Sequence, residues 1–198
     1  FRGALGWDQW GFVGYQGIAD VASRHGGEPL PEAIPVLPGE PLVALCHCLE
    51  SRPVQASLAE ALQARLRQAL STGQADMAIV AALIRGLSGS VDRASQVVAL
   101  KTVLAHPIGS NIEILAAIAG RAWESLGDDA LLHTYLQRLA HNDHGQPAFE
   151  HCVRDLLSLP ALADQVRGTL RSAGQTNEVR EAFTRMTAGQ GRNEGPGT

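Results

Sequence analysis

Aromatic residues make up only 5% of this chain, and Lys101 is its only lysine. No apolar run approaches the roughly 18 residues of a membrane-spanning helix; the stretch 112–119 is short and carries Glu113. Strictly alternating runs of Val, Ile, Thr and Tyr, the mark of half-buried strands, are absent. So are the Gly-x-Ser-x-Gly elbow of serine hydrolases and the Gly-x-x-x-x-Gly-Lys phosphate loop. The 3 cysteines cannot all pair within one chain. That odd count argues against a disulfide framework and for a reducing, cytoplasmic setting. A net charge of −4 with dispersed arginines gives no basic patch for nucleic acid or an anionic membrane. The chain opens on Phe1 without a basic-apolar leader, and is read as a fragment of, or processed from, something longer.

What is present is Leu, Ala and Val in helical rhythm, within 45% hydrophobic residues and enough length for a substantial core. Leu58, Leu62, Leu66 and Leu70 recur every four residues, which predicts one amphipathic helix. Leu42, Leu45, Cys46 and Leu49 mark the face of another, and Val80, Leu83, Ile84 and Leu87 that of a third. Val97, Leu100 and Leu104 continue a fourth until His106-Pro107 stops it. Further on, Ile114 to Ile118, Leu131 to Leu139, Phe149 to Leu157, Leu162 to Leu170 and Val179 to Met186 supply the rest. Pro53 suits a first helical position, Asp92 and Asp128-Asp129 suit helix starts, and Ser110 with Glu113 has capping-box spacing. In the opening segment Gly11, Gly14 and Gly17 fall on one stripe, where a neighbouring helix could approach closely.

The helices read as a repeated pair. Leu42, Leu45, Cys46 and Leu49 overlay Val80, Leu83, Ile84 and Leu87 at the first, fourth, fifth and eighth places. Leu115 and Phe149 begin the next copies, at steps of about 35 residues, the range of helical-hairpin solenoids.

The segments Gly14, Gln16, Gly17, Ile18, Ala19, Asp20 and then Leu45, Cys46, Leu49, Glu50 resemble those of a bacterial protein family of unknown function. The resemblance implies a Gly-x-Gln-Gly-Ile-Ala-Asp element followed by a helical region, in members that extend further on the N-terminal side. It implies no activity.

Three constellations bear on chemistry. Cys46-His47-Cys48 with Cys152 invites a zinc reading, yet Cys-x-Cys on a helix points its thiols about 200° apart. Core packing is the simpler role. His141, His144 and His151 with Asp143 gather metal-type ligands, but Asn142-Asp143-His144-Gly145 is also an ordinary polar turn. Trp7, Trp10 and Tyr15 have the composition of a binding hot spot, or of residues that cover the end of a helical stack.

The expectation is an all-α fold of antiparallel helical hairpins stacked as a short HEAT-like α-solenoid. An N-terminal helix and Pro/Gly-rich loop occupy 1–37, at the end of a missing upstream segment; the repeat domain spans 38–187, and a disordered tail 188–198. Such a layer presents a face to a protein or peptide, so the chain is read as a non-enzymatic interaction scaffold without a cofactor, nucleic acid or membrane. Its candidate partner-binding residues are Trp7, Trp10, Tyr15, Arg85 and Arg154, the last two at equivalent places in the overlay. The rival is an enzyme or metal-binding protein built on His141, His144 and His151.

Overall fold

A computed structural model describes residues 14–23, 29–50 and 52–190. These form eleven α-helices joined by short loops and 3-10 turns. No strand occurs among them beyond one isolated bridge between Val54 and Ser90. The chain divides into two compact units, residues 1–103 and 104–198.

The first unit contains α1 (Gly14–Ser23), α2 (Pro29–Ala33), α3 (Gly39–Leu49), α4 (Ala56–Ser71), α5 (Met77–Leu87) and most of α6 (Arg93–Ala105). α1 packs on α3, α3 on α5, and α2 on α4, while α4 and α5 are direct neighbours. All four leucines of the α4 stripe are buried, each worth roughly 2 kcal/mol of transfer free energy. α5 lies between α3 and α4, which is why it is apolar nearly all round and buries seven of its residues. Asp76 starts it, its carboxylate accepting the Ala78 and Ile79 N–H groups at 2.9 and 3.3 Å.

The turns of the two hairpins are tied together. The Val54 N–H donates to the Gly89 carbonyl at 2.8 Å, and the Val91 N–H returns to the Val54 carbonyl at 3.3 Å. A β-carbon on Gly89 would stand 1.9 Å from the Arg52 carbonyl oxygen, so only glycine permits this pairing. Pro53 therefore sits in an extended loop, and α4 begins three residues later at Ala56 rather than at Pro53. One close glycine approach lies outside the opening helix. Gly14 starts α1 with open space where its β-carbon would be, whereas Gly86 of α5 touches Cys46 of α3. Gly11 lies outside the described residues.

The second unit holds α7 (Ile112–Arg121), α8 (Asp129–Ala140), α9 (Gly145–Ser158), α10 (Ala163–Arg171) and α11 (Asn177–Gln190). Here α7 packs on α9, α8 on α10, and α9 on α11, with α8 also against α11. Asn111, not Ser110, caps α7 by accepting the Glu113 N–H at 3.0 Å, because a 3-10 turn already takes in Ser110. Asp128 caps α8 through the Leu131 N–H at 2.8 Å. Tyr135 is fully buried; its hydroxyl donates to the Leu115 carbonyl at 3.3 Å. α11 runs to Gln190, past the expected end of helix at 187.

In both units the polar links between successive hairpins span similar sequence distances. They run from 31 residues for Ile112 to Asp143 up to 39 for Arg185 to Gln146. Arg85 to Glu50 spans 35, and Gln165 to Asp129 spans 36.

Candidate partner-binding face on the α3–α5 pair

Glu40, Val43, His47 and Glu50 follow one another at steps of three and four, so they share one face of α3. Ala78 and Arg85, seven apart, share one face of α5. The buried face of α3 (Leu42, Leu45, Cys46, Leu49) points away from that stripe. Cys46 of that face meets Gly86 of α5, and Gly39 meets Ile79. Between the α3 stripe and the start of α5 the surface dips into an open cleft of ≈ 660 Å³, whose lining includes Val43, Ala44, His47, Ala78 and Ile79. Pro38 and Pro41 also line it, as do the acidic residues Glu40 and Asp76.

At the other end of the same face, Arg85 Nη1 meets Glu50 Oε1 at 3.4 Å. Ser88 Oγ donates to the Glu50 carbonyl at 3.2 Å, fixing the end of α3 against α5. Cys46 lies beneath, without solvent contact; burial first, and the Glu50 charge second, push its thiol up to about 12. A thiol held protonated is a packing group rather than a nucleophile. Cys48 lies half-buried further round α3, its thiol raised by burial and drawn back by Arg52.

The other candidates from the sequence fall as follows. Arg85 lies on this face. Arg154 belongs to α9 in the second unit, where it pairs with Glu150 at 2.5 Å. Trp7 and Trp10 lie outside the described residues; Tyr15 is in α1, and its side chain lies outside them too. His141 and His144 flank the α8–α9 loop, both exposed, and His151 on α9 is exposed with Asp155 at 3.5 Å. Asp143, between the first two, accepts the Ile112 N–H and the Asn111 amide, both at 2.9 Å. Among the described residues no group of three or more His, Cys, Asp or Glu is placed to hold a metal ion. No described helix is long and apolar enough to cross a membrane.

Glu40, Val43 and His47 are not singled out by the sequence. Their signal is present in Val43, an apolar residue off the Leu42–Leu45–Leu49 face. What it faces depends on α5, more than thirty residues away.

A family model described as a protein of unknown function, DUF3549, matches residues 1–187. The chain belongs to the DUF3549 family. Membership spans both units, and the description assigns no chemistry to either. No curated protein and no solved structure matches the chain.

Proposed function

We propose that this DUF3549 chain is a non-enzymatic helical-repeat protein, and that the α3–α5 face binds a segment of a partner protein. The observation that carries the reading is the open cleft itself. Its lining is largely apolar, it lies on a helix pair in close contact where Gly86 meets Cys46, and the Glu50–Arg85 ion pair joins the same two helices further along. Concave, largely apolar surfaces with a few polar groups at the margin are where ligands dock, and arginine is enriched at interfaces.

The repeat reading has its own support. Within each unit a helix packs on its second neighbour, as stacked hairpins do. The polar links at 31 to 39 residues bracket the step of about 35 seen in the overlay. We read these hairpins as HEAT-like, with α3 and α5 as successive helices of the ligand-facing set. Three free cysteines fit a reducing compartment, and the reading is a cytoplasmic one.

In-cell photo-crosslinking tests the face. A benzoylphenylalanine placed at Val43 should give an adduct of discrete mass, and the same probe at Glu60, exposed on α4, should give none. Adducts in equal yield at both sites, or at neither, defeat the assignment.

A further inference from the structure

We draw no further inference here: the strongest candidate, the apolar surface patch where the exposed Val98 of α6 lines a small furrow with Leu66 and Leu70 of α4, carries none because nothing in the structure shows what covers it.

Discussion

Gly86 on α5 lies against Cys46 on α3 so closely that a β-carbon there would stand 3.0 Å from Cys46 Sγ and 3.3 Å from its Cα. This approach sets the spacing of the two helices whose outer edges form the cleft. Ala is the better helix former by about 1 kcal/mol, yet at this position its methyl group must push α3 and α5 apart. Gly86→Ala should therefore destabilise the fold by about 1–3 kcal/mol in urea melts. Adding Cys46→Ala should recover part of that loss by removing the sulfur. Recovery stays incomplete because the α3 backbone at residue 46 still crowds the new methyl group. Gly168 in α10 provides the contrast, since nothing lies within 4 Å of where its β-carbon would be. Gly168→Ala should raise stability by up to about 1 kcal/mol. A neutral Gly86→Ala would mean that the helices are not held at this distance.

The cysteines differ enough in burial to be told apart chemically. Cys46 and Cys152 are buried and Cys48 is half-exposed. Burial raises all three thiols, with Cys46 reaching about 12. In the native chain at pH 8, a disulfide reagent such as dithiobisnitrobenzoate should label Cys48, while Cys46 and Cys152 react only as the protein unfolds. Cys48→Ala should remove the native reaction. Prompt labelling of a second thiol in that variant would contradict the packing described for α3 or α9.

Much of the helical layout is legible in the sequence because its determinants are local. The four-residue spacing of Leu58 to Leu70 needs no partner to be recognised, and the caps at Asp92 and Asp128 act on N–H groups three residues ahead. The misreadings fall where a distant segment takes over. Pro53 has the right chemistry for a helix start, but the bond from Val54 to Gly89 holds that stretch extended. Nothing in the local sequence marks Gly86 as the glycine that meets Cys46, because only the packing of α3 on α5 decides which glycine is crowded. Periodicity assigns Val43 no neighbour, since the Ile79 that shares its cleft belongs to the next hairpin. Asp143 has the look of a metal or turn residue, and its actual bond runs to a helix start 31 residues earlier.

Tyr135 joins three helices in the second unit. Its fully buried hydroxyl donates to the Leu115 carbonyl of α7 and is hydrogen-bonded with the Cys152 thiol of α9; burial raises the phenol well above its ordinary value. Tyr135→Phe keeps the ring and deletes the oxygen, leaving the Cys152 thiol without that partner. The expected cost is about 1 kcal/mol. Cys152→Ala removes the other member and opens a small space, for a similar loss. Because the two share one bond, the double variant should cost less than the sum of the single ones. Strict additivity in urea melts would show that the bond does not contribute.

Asp143 gives a pH dependence whose sign can be worked out. Burial on its own would raise its carboxyl, but hydrogen bonds from His144 and from the Ile112 N–H, with the His144 charge, hold it below the usual carboxylate value. A carboxyl whose value is depressed in the folded state adds stability that is fully present above its unfolded value, about 4, and is lost as pH falls through the folded one. Asp143→Asn retains an oxygen for the Ile112 N–H and removes the charge, so it isolates this contribution. Its loss relative to the parent chain should be present near pH 5 and should shrink as the pH drops below about 4. The side chain is 45% exposed, which keeps the effect within about 1 kcal/mol at low salt and less at high salt. Asp143→Ala, which also strips the start of α7 of its distant cap, should cost more than Asp143→Asn at every pH. A difference between Asn and parent that stays constant down to pH 3 would show that the carboxylate charge has no part in holding the α8–α9 loop to α7.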